Sequence, residues 1–240
     1  MQFAASVAGR FASTALALGE GEVCAAFRRS FYLRFPGERY VCVGDVSLGR
    51  GPLNALVADL HVPALGERIA VTVASVWQPT LADSIQIDSF RSATPPDEGL
   101  GCLLTGRHNA LAEHALPSID ALDQWLRHGL AVPPDAEALI GLGPGLTPSG
   151  DDYLGGMMVA LHALGRDGQG RALWRWLQPR LAARTSAISA AHLAAAAEGE
   201  AHEVLHQVLQ NVSPPSALDA VGHCSGWDAL AGAAAVLRAS

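Results

Sequence analysis

The pattern of apolar residues changes once along the chain, and this change constrains the fold more than any other feature. The first hundred residues contain four segments rich in Val, Phe, Tyr and Leu, separated by turn residues, which is typical of short strands. These segments are Val23 to Phe35, Arg39 to Val46, Leu53 to Val62 and Ile69 to Trp77. From about residue 118 the spacing becomes helical, with helices expected at 150–165, 169–184, 186–210 and 225–238. The sequence therefore predicts an α+β fold, with a β-rich N-terminal half, barrel-like or a meander, and an α-helical C-terminal half.

The boundary between the two halves is predicted from turn and capping residues. A linker is expected around Ser92 to Asp97, and Ser118 is expected to cap a first helix that continues to Leu130. Proline pairs at 133–134 and 214–215 mark breaks, and Gly199 is a candidate interruption of the 186–210 helix. We accordingly divide the chain into a β-rich domain at 1–115 and a helical domain at 116–240.

Composition excludes several classes of protein. The 240 residues carry a net charge of −7, which argues against a nucleic-acid binder. All sixteen basic residues are Arg, so Schiff-base chemistry and a P-loop lysine are excluded. The four cysteines show no metal-ligand spacing, and no apolar stretch is long enough to span a membrane. A cytoplasmic protein without a signal peptide is the expectation.

The most informative segment is GLGPGLTPSGDDYLGG at 141–156, a Gly/Pro loop that leads into a helix. Ser149 is predicted to cap this helix, with Asp152 reaching back in a variant of the capping box. A cap explains Ser149 and Asp152 but does not require four glycines in one loop. The glycines indicate a backbone that approaches a ligand closely, with N–H groups available for an oxyanion.

A second segment repeats this pattern with identical spacing. Ser-Gly-x-Asp-x-Leu-x-Gly occurs at 149–156 and again at 225–232. Capping preferences account for the Ser and Asp but not for the two glycines and the leucine. We infer two equivalent helix starts that face each other across one site, the alternative being a pseudo-symmetric pair of packed helices without a ligand.

The charge of Asp151 and Asp152 restricts what can bind at the first helix start. A helix N-terminus favours phosphate, but two aspartates repel it. Two arrangements remain: a divalent ion between carboxylates and phosphate, or a substrate amide that donates hydrogen bonds to Asp while the loop holds its oxygens. The spacing does not choose between them.

Two further groups of residues are candidates for the same site. Arg184 precedes Ser186, Ser189 and His192, which lie three residues apart and therefore near one face of a helix. This face can contact an anionic substrate; the alternative is a capped helix whose serines pack among alanines. His223 takes the position of Thr147 in the repeat and is a candidate donor to a substrate oxygen, the equal alternative being a solvent-facing histidine of a turn.

One motif points to a different chemistry. His202-Glu203-Val204-Leu205-His206 fits H-E-x-x-H, in which two histidines bind zinc and the Glu acts as base. The metzincin continuation is absent, and an amphipathic helix with both histidines near its rim is the simpler interpretation. A zinc hydrolase therefore stays the third hypothesis.

The 141–156 motif resembles the signature of the AllH-like family, catalogued as a domain of unknown function. The blocks around Arg184 to His192 and Gly222 to Asp228 are similar to later parts of that family, and Gly49, Gly51 and Pro52 to an N-terminal block. The resemblance implies a subunit of oxamate carbamoyltransferase that acts with FdrA-like partner subunits in anaerobic allantoin catabolism. This reaction converts oxalurate and phosphate into oxamate and carbamoyl phosphate. Cys224 departs from the Ser or Thr expected there.

Our hypothesis is a carbamoyltransferase-type subunit that binds a small anionic or amide substrate at the 141–152 loop; the alternative is a non-catalytic ligand-binding or scaffold subunit. Asp151, Asp152 and His223 are the candidate catalytic residues. The candidate substrate-binding residues are Gly143, Gly145, Thr147, Ser149, Gly150, Arg184, Ser186, Ser189, Ser225 and Asp228. The sequence requires no cofactor and leaves Mg²⁺ open, predicts no protein metal site, and is compatible with a homo-oligomer.

Overall fold

The computed structural model describes residues 2–80, 94–129 and 131–239. Contacts divide the chain into two compact units, Met1–Pro79 and Thr80–Ser240. The described strands all belong to the first unit, and the second is helical. The predicted α+β class, with a β-rich part followed by a helical part, is confirmed.

The first unit contains seven strands and one helix among its described residues. They are β1 (Gln2–Gly9), α1 (Arg10–Leu16), β2 (Glu20–Ala26), β3 (Ser30–Phe35), β4 (Arg39–Asp45), β5 (Asn54–Val57), β6 (Arg68–Val73) and β7 (Val76–Trp77). The sequence analysis missed β1 and α1, and it merged β2 with β3 and β6 with β7. The interruptions are short: a tight turn joins β2 to Ser30, the first residue of β3, and it is closed by a hydrogen bond from the Phe27 N–H to the Ser30 carbonyl at 2.8 Å.

Pairing of β1 on both sides closes the sheet. The strand order is β5-β4-β3-β2-β6-β1-β7, and β1 pairs in parallel with β6 and antiparallel with β5. Six strands therefore form a barrel, and β7 lies beside β1. Alternate side chains such as Phe31, Leu33 and Val41 fill the interior, as period-two patterning requires. The barrel-like prediction is confirmed.

The second unit is built from six helices and three short 3₁₀ segments in its described part. The helices are α2 (Ala110–His128), α3 (Ser149–Ala163), α4 (Asp167–Arg184), α5 (Ala187–Ala197), α6 (Glu203–Leu209) and α7 (Ser225–Arg238). The 3₁₀ segments are Gly101–Thr105, Pro134–Leu139 and Pro215–Ala220. The predicted helices at 150–165, 169–184 and 225–238 agree with α3, α4 and α7 within a few residues. The 186–210 segment is divided into α5 and α6, and Gly199 (φ 79°) lies in the interruption.

The prediction that Ser118 caps the first helix is wrong. The helix α2 begins at Ala110, where the Asn109 side chain accepts a hydrogen bond from the Ala112 N–H at 2.8 Å. Ser118 lies inside α2, buried, and its hydroxyl donates to the Asp135 carbonyl at 2.7 Å. Leu130, the expected end of the helix, and residues 92 and 93 of the expected linker lie outside the described residues.

Residues ahead of α2 belong with the helical unit because their backbone binds one of its buried acids. The N–H groups of Leu100 and Gly101 donate to Asp228 of α7. The domain boundary drawn from the sequence, at 115/116, falls inside α2, whereas the two compact units divide at 79/80. None of the described helices is long and apolar enough to cross a membrane.

Candidate functional site

The duplication seen in the sequence extends further upstream in the structure. Each copy consists of a proline pair, a 3₁₀ segment, a glycine-containing turn and a long helix: Pro134–Leu139 leads to α3, and Pro215–Ala220 leads to α7. Both 3₁₀ segments have proline at their first positions, where its fixed φ and missing N–H are tolerated. The two helix starts are therefore held by equivalent local structures.

The glycines of the repeat let α3 and α7 pack with their backbones in contact. A Cβ atom on Gly156 would lie 1.8 Å from the Ala229 carbonyl oxygen, and one on Gly232 would lie 1.9 Å from that of Tyr153. Tyr153 and Ala229 occupy the same position of the repeat, so the two contacts are reciprocal. This packing explains the two glycines that capping left unexplained, and it fixes the two helices against each other.

The starts of α3 and α7 meet, and each presents an aspartate to hydroxyl groups near the other. The Thr147 Oγ1 and Ser225 Oγ atoms are 3.1 Å apart. Asp152 lies beside the hydroxyls of Ser225 and Thr147, and Asp228 lies beside that of Ser149. Asp152 of α3 faces Ser225 of α7, and Asp228 of α7 faces Ser149 of α3, so the pseudo-symmetry of the packing continues into the polar groups.

The predicted capping role of Ser149 is wrong. The helix α3 begins at Ser149 itself, after Pro148, and no side chain caps it. The Pro148 carbonyl instead accepts the N–H groups of Asp151 and Asp152, at 2.9 and 3.0 Å. Ser149 is already within the first turn, so its hydroxyl is free to lie against Asp228 instead of its own helix end.

Asp152 is the least compensated acid of the site. Part of the residue reaches the surface, but its Oδ2 atom is buried and accepts no hydrogen bond from the described residues. Burial raises the pKa of Asp152 well above its ordinary value, the neighbouring Asp228 and Asp151 raise it further, and the hydroxyls of Ser225 and Thr147 oppose them. The fold alone thus favours a protonated Asp152, or one paired with a donor.

The two carboxyl oxygens of Asp228 differ in their hydrogen bonds. It is 1% exposed, and its Oδ1 accepts the N–H groups of Leu100 and Gly101 at 2.6 and 2.8 Å. Its buried Oδ2 accepts no hydrogen bond from the described residues. Burial raises the pKa of Asp228 to about 6, although the Ser149 hydroxyl and the two N–H groups lower it. The site therefore contains two carboxyl oxygens that receive no hydrogen bond from the part of the chain that the structure describes.

Asp151, unlike Asp152, has several hydrogen-bond donors for its carboxyl group. It is 2% exposed, and its oxygens accept the Gly141 N–H at 2.8 Å, the Ser189 hydroxyl at 2.6 Å and the Thr185 hydroxyl. These bonds join the glycine loop, α3 and the start of α5. In the structure Asp151 thus holds the glycine loop against α3 and the start of α5.

The Arg184 cluster also makes contacts within the protein. Arg184 forms an ion pair with Glu137. The Ser186 hydroxyl caps α5 by accepting the Ser189 N–H at 2.9 Å, and it donates to the Leu146 carbonyl at 2.6 Å. Ser186, through the Leu146 carbonyl, and Ser189, through Asp151, therefore connect the start of α5 to the glycine loop.

The glycine loop offers backbone donors at its exposed part. Gly141, Gly143 and Gly145 have φ values of 74°, 111° and 95°, which favour glycine. Among the residues that the structure describes, no acceptor takes the N–H of Gly143 or Gly145. Gly150 differs, because its N–H donates to the Leu142 carbonyl at 2.9 Å and a Cβ there would lie 2.0 Å from the Leu139 oxygen. Gly150 is required for packing, and its N–H is not available to a substrate.

His223 lies in the exposed turn ahead of α7. Its Nε2 atom is 2.8 Å from Glu98 Oε2, and Cys224 lies close to both. Burial raises the pKa of the Cys224 thiol to about 11, and the carboxylates of Asp228, Glu98 and Asp152 contribute to this shift. His223 is thus at the rim of the acid pair, joined to a segment that precedes α2.

The H-E-x-x-H residues do not lie on one helix. His202 precedes α6 and caps it, with its Nδ1 accepting the Val204 N–H at 3.2 Å. His206 is buried, and its Nε2 accepts the Ala201 N–H at 3.1 Å. Since the i,i+4 spacing requires a continuous helix to place both rings on one side, this geometry does not favour the zinc hydrolase hypothesis.

Sequence reasoning missed the segment at 98–101. It provides Glu98 beside His223, and it provides the backbone donors to Asp228. A Cβ on Gly99 (φ 76°) would lie 2.5 Å from Asp228 Oδ1 and 2.9 Å from Cys224 Cβ. The only signal was the Gly-Leu-Gly run at 99–101, which is too short to indicate a binding segment.

Comparison with known proteins gives a match to a family model. Residues 139–237 match the model of a family described as oxamate carbamoyltransferase subunit AllH. The match covers less than half of the chain and contains both copies of the Ser-Gly-x-Asp-x-Leu-x-Gly segment. Over this range the chain is similar to the AllH family, the family that the sequence analysis named. No curated protein and no solved structure matches the chain.

Proposed function

We propose that this chain is a carbamoyltransferase-associated subunit that binds a small carbamoyl or amide compound between the starts of α3 and α7. The observation that carries the proposal is the pair of buried Oδ2 atoms on Asp152 and Asp228, neither of which accepts a hydrogen bond from the described residues. The match of residues 139–237 to a family named for an oxamate carbamoyltransferase subunit supports the same chemistry.

An amide suits this site because it supplies what the two acids lack. A buried acceptor without a donor costs about 1–3 kcal/mol, and a bound N–H group removes that cost. A carbamoyl group has two N–H donors for the carboxyl oxygens of Asp152 and Asp228. Its carbonyl oxygen accepts from the paired hydroxyls of Thr147 and Ser225, which lie 3.1 Å apart.

The anionic end of the substrate belongs at the glycine loop, away from the acids. The N–H groups of Gly143 and Gly145 have no acceptor among the described residues, and backbone N–H groups of this kind bind carboxylate or phosphate oxygens. Separate places for the amide and the anion avoid the repulsion that a phosphate directly at two aspartates would meet.

The proposed reaction is carbamoyl transfer between oxamate and phosphate. A phosphate oxygen attacks the carbamoyl carbon of oxalurate, the bond from that carbon to the oxamate nitrogen breaks, and the nitrogen takes a proton. Asp152 donates this proton, since burial raises the pKa of its carboxyl and so favours the protonated form, and it recovers one from the attacking phosphate. Catalysis rests on positioning and electrostatics, with no covalent nucleophile. Partner subunits, FdrA-like in the family, complete the enzyme.

Thermal stability with candidate ligands tests the proposal. The full chain is melted with carbamoyl phosphate, phosphate, oxamate or oxalurate, each in the presence of Mg²⁺ or of EDTA. A ligand at about 100 times its dissociation constant stabilises the fold by about 2.7 kcal/mol, which raises the melting temperature measurably. The EDTA arm decides whether Mg²⁺ takes part, because carboxylate oxygens are its usual ligands.

Matched variants locate the ligand. Asp152→Asn and Asp228→Asn should each abolish the shift. Asp123→Asn should retain it, because Asp123 is another acid with a buried Oδ atom without a partner and a raised pKa, but it lies on α2. An equal shift in all variants, or no shift of the wild type with any of the four compounds, would overturn the proposal. A shift without turnover after addition of partner subunits would favour the non-catalytic binding subunit.

A further inference from the structure

The turn ahead of α7 and the segment ahead of α2 bring together three side chains of metal-binding type. Glu98, His223 and Cys224 each offer a ligand atom, and these atoms lie within 4.8 Å of one another. Among the described residues, this is the one group of three or more His, Cys, Asp or Glu residues so arranged. No sequence pattern indicated this group, because Glu98 lies 125 positions from His223 along the chain.

We propose that Glu98, His223 and Cys224 bind a zinc ion. A thiolate, an imidazole and a carboxylate are the ligands that Zn²⁺ takes in proteins, and three of them leave a fourth position open. A thiolate in the set selects against Mg²⁺ and Ca²⁺, which take oxygen ligands. This site stands on its own geometry and does not depend on the proposed function.

The distances are compatible with a metal after small side-chain rotations. Bond lengths of about 2.0–2.3 Å in a tetrahedron place ligand atoms about 3.3–3.8 Å apart. The His223–Glu98 contact, at 2.8 Å, is slightly shorter than this, and the upper limit of 4.8 Å is slightly longer. Glu98 and His223 are exposed, so both side chains can move without disturbing the core.

The backbone on both sides of the cluster is hydrogen-bonded to Asp228, and the charge beside the cluster favours a cation. Cys224 and Asp228 are joined through the hydrogen bond from the Asp228 N–H to the Cys224 carbonyl at 2.9 Å. Asp228 in turn binds the backbone at 100–101, two residues after Glu98. The two parts of the cluster are thus fixed by one buried acid. At neutral pH the carboxylate of Asp228, whose pKa is about 6, adds negative charge beside the thiol.

Cobalt and zinc titrations test the inference. The full chain is treated with EDTA, desalted in a thiol-free reductant, and titrated with Co²⁺ while the ultraviolet charge-transfer band of a Co²⁺–thiolate bond is recorded. Zn²⁺ is then added, and its stoichiometry is measured by calorimetry. We expect the thiolate band, its loss on addition of Zn²⁺, and one Zn²⁺ per chain.

Variants identify the ligands. Cys224→Ser should remove the band, and His223→Gln and Glu98→Gln should each weaken Zn²⁺ binding by at least about 100-fold, since even outer-shell changes cost 10–100-fold. Cys24→Ser, a partly buried cysteine of the first unit, should bind as the wild type does. Circular dichroism confirms that each variant is folded. Absence of the band in the wild type, or Zn²⁺ binding that is lost in His206→Gln and kept in Cys224→Ser, would overturn the inference.

Discussion

Replacement of Asp228 by Asn should remove part of the pH dependence of folding. Asp228 is 1% exposed, and burial raises its pKa from 3.8 to about 6. Because the pKa in the folded chain lies above that of the unfolded chain, the folded chain binds more protons in this interval. The associated stability is fully present below about pH 3.8 and is lost as the pH rises through about 6.

The magnitude follows from the shift. Each pKa unit corresponds to about 1.4 kcal/mol, so the full effect is about 3 kcal/mol. About 2 kcal/mol of it falls between about pH 4.5 and about pH 7.5. The Asn side chain keeps an Oδ1 acceptor for the N–H groups of Leu100 and Gly101 but does not ionise. The free energy of unfolding of the wild type should therefore decline across this range relative to that of Asp228→Asn.

Urea unfolding at several pH values measures this difference. Tryptophan fluorescence follows the helical unit, because Trp125, Trp174, Trp176 and Trp227 belong to it and only Trp77 does not. Asp120→Asn, an exposed change on α2, is the control and should follow the wild type. Parallel pH profiles for the wild type and Asp228→Asn would show that burial does not raise this pKa in the folded protein.

Two further predictions concern the packing that supports the site. Gly156→Ala should destabilise the helical unit by about 3 kcal/mol or more in urea unfolding, because its Cβ would lie 1.8 Å from a carbonyl oxygen of α7. Gly155→Ala, whose Cβ would meet nothing closer than 3.7 Å, should be neutral or stabilising by up to about 1 kcal/mol. An equal loss of stability in the two variants would refute the backbone contact at Gly156. Asp151→Ala should lower the free energy of unfolding by about 3 kcal/mol or more, since it removes the acceptor of three hydrogen bonds, one of them from Gly141. Asp152→Asn, in contrast, should not lower the melting temperature at neutral pH. A destabilised Asp152→Asn would show that Asp152 also has a structural role.

The local part of the site was predictable because it depends on neighbours in sequence. The change from period-two to helical patterning gave the α+β class, and the breaks at Gly199 and the proline pairs depend on backbone conformation alone. The repeat at 149–156 and 225–232 indicated two equivalent helix starts. It did so because close helix packing requires glycine at defined positions, whatever the rest of the chain does.

The roles of individual polar residues depended on distant contacts. Ser149 and Asp152 fit a capping box in sequence, but the structure places them against α7. There Ser149 lies beside Asp228, and Asp152 lies beside Ser225. Asp151 and Asp152 are adjacent and chemically identical, and only the tertiary structure gives Asp151 three donors and leaves Asp152 Oδ2 with none.

Sequence alone thus determined the types and order of the elements and the presence of two matching glycine-rich helix starts, since spacing and backbone preferences act over a few residues. The tertiary structure decided which acids are compensated and which are not. It also brought the segment at 98–101 to Asp228, His223 and Cys224. Burial, hydrogen-bond partners and charge at a buried group are set by residues that lie from 10 positions away, as for Gly141 and Asp151, to 128 positions away, as for Leu100 and Asp228, and no local pattern records them.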